Sequence, residues 1–263
     1  MQRTEIPPAT SAKPTSVTWD DERTHPDTPD QGTFQHHLAR YEFALRQMRG
    51  GERVLDTGCG VGYGSEMVAR RGAVCIGVDY SMPALTRASQ RHAAANLHYA
   101  RMDCQKLALA SQSFDMIISF EMFEHLEKSA EYLQECSRVL RPGGRLILST
   151  PNRAAWEIHM KSIQVENEYH VNMVDLDQLR KSLRAVFKKV EVLGQRRRGN
   201  RLHTILRALD VWNLRLRLFP PQKREQMQRA LNVPAGEVAK GSDWLFEKSQ
   251  LRQCNHFVAI CTK

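Results

Sequence analysis

The chain has 263 residues, 41% hydrophobic and 25% charged, enough for one doubly wound domain plus an appendage. No run approaches the roughly 18 apolar residues of a membrane span, and the N-terminus lacks a signal peptide's basic start and apolar stretch, so a cytoplasmic enzyme is expected. The net charge of +9 is concentrated: residues 180–229 hold 15 Lys/Arg against 3 Asp/Glu, and the remainder is slightly acidic. Residues 1–33 carry five prolines and few apolar side chains, and read as a mobile arm. From Phe34 a helix is predicted, because Leu38, Tyr41, Leu45 and Met48 recur at helical spacing.

Strands and helices then alternate. Strands are predicted at 52–56, 74–78, 97–101, 115–120 and 145–150, with helices near 63–71, 82–94 and 124–140. The last helix has an apolar stripe of Leu126, Leu133, Cys136 and Leu140, and Arg141-Pro142-Gly143-Gly144 ends it. A further helix is expected over 175–187 and a strand over 188–193, with a final strand at 256–262. This rhythm implies a parallel sheet with helices on both faces. Roughly sixty residues separate the last two strands, too many for a hairpin. Amphipathic helices are expected there, stopped by Pro220-Pro221, then a helix over 222–231 and a loop carrying Trp244 and Phe246.

The segment Arg53-Val-Leu-Asp56-Thr-Gly58-Cys59-Gly60-Val-Gly62-Tyr63-Gly64 carries the chemistry. Alternating glycines let main-chain N–H groups approach a ligand with no Cβ in the way, and the next helix aims its first amides at the same spot. The spacing fits neither the dinucleotide loop, whose third glycine position is Tyr63, nor the P-loop, which needs a lysine absent between Gly51 and Lys106. Asp56 brings a carboxylate, which suits a cationic ligand. Asp79 ends the second strand, where a carboxylate can accept from both ribose hydroxyls.

Asp56-x-Gly58-x-Gly60-x-Gly62, Asp79, Met102-Asp103, Ser113-Phe114-Asp115 and Leu140-Arg141-Pro142-Gly143-Gly144, in that order, resemble class I S-adenosylmethionine methyltransferases across residues 36–195. The resemblance implies a Rossmann-like seven-stranded α/β sheet with helices on both faces, a helical insertion before the last strand, and that last strand antiparallel. It divides the chain into a flexible arm at 1–33, a cofactor-binding core at 34–195, a basic helical insertion at 196–252 that caps the substrate, and the final strand at 253–263. It places the methionine part of S-adenosyl-L-methionine near Gly58, Cys59, Gly60, Gly62 and Tyr63, and the ribose on Asp79 beside Tyr80. The adenine amino group would face Asp103 and Cys104. Phe120 and Glu121 close the pocket, and Arg40 either holds the cofactor carboxylate or is an ordinary surface arginine.

Beyond the cofactor, Phe120-Glu121-Met-Phe-Glu124-His125 follows the fourth strand, and His170 lies downstream. If 121–125 begin a helix, Glu121, Glu124 and His125 share one face. Three roles stand open. With His170 they form an N/O site for a divalent metal such as Mg; His125 or His170 acts as general base; or these residues are structural. The E-x-x-E-H pattern with a later histidine resembles ubiquinone-pathway-type and polysaccharide or natural-product O-methyltransferases, and also metal-dependent small-RNA 2′-O-methyltransferases. No amine-holding Asn-Pro-Pro-Tyr motif follows the fourth strand. O-methylation of a small-molecule or saccharide acceptor is therefore expected. RNA methylation through the basic insertion, peripheral membrane contact and a non-catalytic cofactor-binding partner are the alternatives, and the oligomeric state is open.

Overall fold

The apolar runs of the first half become a parallel sheet: β1 (Arg53–Thr57), β2 (Val74–Asp79), β3 (Leu97–Arg101), β4 (Phe114–Phe120) and β5 (Leu140–Pro151). A computed structural model describes Pro26 and residues 31–163, 168–198 and 243–263. Three further strands follow, β6 (Lys189–Arg197), β7 (Trp244–Glu247) and β8 (His256–Thr262), and the eight lie in the order β3-β2-β1-β4-β5-β8-β6-β7. β8 runs antiparallel to both β5 and β6, and β7 antiparallel to β6. The sheet therefore has eight strands among the described residues where seven were expected; the antiparallel final strand is as expected.

Period-2 alternation divides the sheet between two cores. Val54, Met116, Ile118, Ile147 and Val258 face one side, under helices α1 (Gln31–Gln47) and α2 (Tyr63–Arg70). Their chain neighbours Leu55, Ile117, Leu146, Leu148, Phe257 and Ala259 face the other, under α4 (Ser129–Val139) and α6 (Leu176–Arg184). Strands buried on both faces are apolar throughout, which is why these segments read as continuous hydrophobic runs. α3 (Met82–Arg91) starts at Ser81, whose side chain accepts from Ala84 N, and α6 starts with a capping box between Asp175 and Gln178.

Several expectations shift. α1 begins at Gln31, inside the expected arm, and β6 runs to Arg197, inside the expected insertion. Trp244 and Phe246 lie in edge strand β7 rather than in a loop, because Phe246 stacks on Phe43 of α1 at 4.4 Å. The helix predicted at 124–140 breaks in two. A 3-10 turn covers Phe123–His125, then the chain runs extended at Leu126 before α4 begins. The break follows from the surroundings: Asn172 donates to the carbonyls of both Phe123 and Glu124, drawing the turn away from the helix. Helix α5 (Arg153–Ile163) was not foreseen; Asn152 Oδ1 accepts from Ala154 N at its start. The helices expected within 202–231 lie outside the described residues.

α1 and α2 meet where Gly64 lies against the Tyr41 ring, so that any Cβ at 64 would collide with it. Alanine at an ordinary helical position stabilises by up to about 1 kcal/mol relative to glycine. Gly64→Ala is expected instead to lower unfolding free energy by about 1–3 kcal/mol through overpacking. Urea unfolding checks it, and a gain in stability would contradict the packing described.

Candidate active site

The carboxyl ends of the parallel strands form one edge, and the glycine loop sits on it. Gly58 N and Cys59 N both donate to Val78 O, at 2.8 and 3.1 Å, so the loop is tied to the end of β2. Asp79 completes the tie: its carboxylate accepts from Gly60 N at 2.9 Å and Ser81 N at 2.8 Å. Gly58, Gly60 and Gly62 have φ of +70°, +54° and +82°, a region that other residues adopt only with strain. A Cβ on Gly60 would meet nothing within 4 Å, so the main chain there borders open space. At Gly58 it would press on Met122 and at Gly62 on Tyr99 and Ala88, so those two glycines serve packing as well.

The other residues expected around the cofactor fall into distinct settings. Asp56 is fully buried; Ser65 Oγ donates to it at 2.6 Å and Tyr41 OH at 3.2 Å. Cys59 and Cys104 are buried thiols, and burial pushes Cys104 up to about 12. Tyr63 packs edge-on against Phe34 and Tyr41. Tyr80 is 68% exposed, with Arg101 over its ring at 4.8 Å. Asp103 is exposed and accepts from Gln105 N at 2.9 Å. Phe120 is turned into the core against Tyr41.

Arg40 is completely buried, which its sequence position on α1 did not reveal. Its Nε donates to Gln195 Oε1 at 2.6 Å, and one terminal nitrogen contacts His36. The other, NH1, lies 3.2 Å from Glu121 Oε1 yet makes no hydrogen bond, because the N–H direction misses the carboxylate. Glu121 has φ +49°, a left-handed backbone unusual for glutamate. That conformation removes it from the face expected with Glu124 and His125. Its carboxylate instead accepts from Ser149 Oγ at 2.8 Å and sits 3.0 Å from His256 Nε2. Burial would raise the Glu121 carboxyl, but Arg40, His256 and His37 together hold it well below the usual range.

Glu124, His125 and His170 form a separate group whose ligand atoms lie within 4.8 Å of one another. Glu121 is not part of it. Burial, then the Glu121 charge, pushes the Glu124 carboxyl well up. His125 Nδ1 must donate to the Tyr169 carbonyl at 2.9 Å, which leaves Nε2 as its lone-pair side. His170 packs on Trp156 and meets His125 edge-on. His256, Gln195, Trp244, Ser149 and Thr150 were not singled out as site residues. Only the topology brings them here, since β8 is antiparallel and its first residue, His256, pairs with Pro151 at this edge.

Residues 55–148 match the methyltransferase domain family. A probable S-adenosylmethionine-dependent methyltransferase of Mycobacterium tuberculosis is 32% identical over 174 residues, covering 66% of this chain and 62% of that protein. Residues 55–148 belong to a class I S-adenosylmethionine-dependent methyltransferase domain. The ubiquinone biosynthesis O-methyltransferase of Hahella chejuensis is 41% identical to this chain over 106 residues, covering 39% of this chain and 44% of that one. An S-adenosylmethionine-dependent methyltransferase structure from Archaeoglobus fulgidus superposes with a TM-score of 0.59 at 18% identity, over 89% of this chain and 97% of that one, a likeness of fold. The chain spans 44% to 62% of the length of these curated relatives. Among the described residues, no helix is long and apolar enough to cross a membrane.

Burial pushes the Asp56 carboxyl up to about 7, against hydrogen bonds from Ser65 and Tyr41 that act the other way. A raised native pKa means that the folded protein holds a proton the unfolded chain releases, so Asp56 costs stability as pH rises from about 4 to 7. Asp56→Asn removes this titration. Its stability relative to the parent is expected to improve by about 2–3 kcal/mol between pH 5 and pH 8. Urea unfolding at both values checks this, and a difference independent of pH would contradict it.

Proposed function

We propose that this methyltransferase binds S-adenosyl-L-methionine at the glycine loop and transfers its methyl group to an oxygen of a small-molecule or saccharide acceptor. The single observation that carries the cofactor reading is the open space above Gly60, flanked by the Asp79 carboxylate that ties the loop. The buried Arg40 NH1 without a hydrogen bond supports it, since a cofactor carboxylate is the group such a donor lacks. In this reading Asp79 and Tyr80 hold the ribose, Asp103 and Cys104 flank the adenine, and Gly58 to Tyr63 cradle the methionine part, with Phe120 and Glu121 behind it. The bound sulfonium supplies an already activated methyl group. The chain's work is alignment of the acceptor with it.

The oxygen preference rests on the ubiquinone O-methyltransferase relative and on the carboxylates and imidazoles beyond β4. Arg198 N donates to Asp243 O at 2.6 Å, next to Trp244, whose ring stacks on His36. That supports reading the insertion within 196–252 as a substrate cap. With S-adenosylhomocysteine as probe, calorimetry is expected to show binding that Gly60→Val weakens at least about tenfold. Equal affinity in the variant, or no binding by the parent, would overturn the assignment.

A second reading adds a divalent cation, favoured by the approach of Glu124, His125 and His170. Two imidazoles and a carboxylate suit such an ion, which would acidify a bound hydroxyl. The Glu124 carboxyl, pushed well up by burial and then by the Glu121 charge, would be favoured in its ionised form by such an ion. Titration with Mn2+ is then expected to show one site that His170→Ala abolishes. Absence of any Mn2+ site, together with full methyl transfer in excess chelator, would end the reading.

A further inference from the structure

Topology sets His256 at the carboxyl edge, with β5 between it and the β4 tip. Its Nε2 lies 3.0 Å from Glu121 Oε2, and its Nδ1 is buried with no hydrogen-bond partner. An ionised carboxylate can only accept, so the ring nitrogen facing it carries the hydrogen. The ring is then neutral with a bare lone pair on Nδ1. The buried setting of this imidazole favours that state, with Glu121 alone acting against it. Burial lowers its pKa, Glu121 opposes, and the charge of Arg40 lowers it further. His36 meets the ring edge-on with centroids 4.5 Å apart, and burial lowers both His36 and His37 as well.

We propose that Glu121 and His256 form a catalytic dyad, in which His256 Nδ1 accepts the proton of the acceptor hydroxyl as that oxygen takes the methyl group. The proposal rests on the S-adenosylmethionine reading above. The oxygen–methyl bond forms while the carbon–sulfur bond breaks and its electron pair stays on sulfur, giving S-adenosylhomocysteine. The proton passes from oxygen to Nδ1, and the imidazolium so formed is held by the Glu121 carboxylate at Nε2. Glu121 is placed for this by its left-handed backbone and by Ser149, which holds Oε1 and leaves Oε2 to the histidine. Nothing among the described residues offers Nδ1 a donor, and a hydroxyl entering over the tips of β4 and β5 brings one. A cation at Glu124, His125 and His170 would acidify the same hydroxyl without supplying a proton acceptor, so the two roles are compatible.

Two measurements on the full chain decide it. Protein labelled with nitrogen-15 in histidine and saturated with S-adenosylhomocysteine is read by long-range proton–nitrogen NMR, with His256 assigned by its loss in His256→Gln. The dyad requires hydrogen on Nε2 and a bare Nδ1 at neutral pH, and loss of that fixed preference in Glu121→Gln. A proton on Nδ1 would overturn it. The second uses the small-molecule fraction of a bacterial extract as acceptor pool and a labelled methyl donor. Glutamine can still donate to Glu121 but cannot take the proton. His256→Gln is therefore expected to bind S-adenosylhomocysteine like the parent, incorporate label about 100-fold more slowly, and lose the parent's fall in rate on the acid side. Parental transfer by the variant would refute the dyad. A parent that binds no S-adenosylhomocysteine would refute the cofactor reading instead, with the NMR tautomer still judging the histidine.

Discussion

A guanidinium with no exposed surface must be met by oxygen atoms, and Arg40 is such a group. Stranding it without partners would cost several kcal/mol, on the order of the stability of a small domain. Gln195 on β6, His36 one turn back on α1 and Glu121 beyond β4 are drawn to it. These contacts lock α1 across the sheet, from the glycine loop at Tyr41 and Gly64 to the edge strand at Phe43 and Phe246. The glycine loop and the Glu121 cluster are thereby joined through a single helix.

Direction of the strands does the rest. Because β8 runs against β5, its first residue lies at the carboxyl edge, and because β7 runs against β6, Trp244 arrives there too. Trp244 stacks on His36, and His36 meets His256. A polar cluster drawn from α1, β4, β5, β6, β7 and β8 thus assembles beside the glycine loop. Its three imidazoles are kept neutral mainly by burial, so the Glu121 carboxylate faces Arg40 as the balancing charge.

The local parts were legible in the sequence. Glycine φ values, the Asp79 tie and the apolar strands follow from spacing and residue type, and the strand–helix alternation through β4 was read to within a few residues. What was not legible depends on long-range contact. Glu121, Glu124 and His125 look like one helix face in sequence, but a left-handed residue at 121 separates them into two clusters. Sequence spacing carries no sign of that, because the conformation is imposed by Arg40, Ser149 and His256. His256 looked like the start of an ordinary final strand, and only its pairing with Pro151 and Gln195 reveals its position. Asp56, expected beside a cationic ligand, spends its oxygens on Ser65 and Tyr41 and supports the loop from beneath.

The central claim is that this edge receives a sulfonium nucleoside, with Arg40 and Asp79 at opposite ends of it. A crystal structure of the protein grown with S-adenosylhomocysteine tests it most directly. The account predicts ribose hydroxyls on the Asp79 carboxylate, the amino-acid end above Gly60, and Arg40 NH1 hydrogen-bonded to the ligand carboxylate. Density for the nucleoside at any other place, or an Arg40 NH1 that makes no hydrogen bond to a fully occupied ligand, would contradict it.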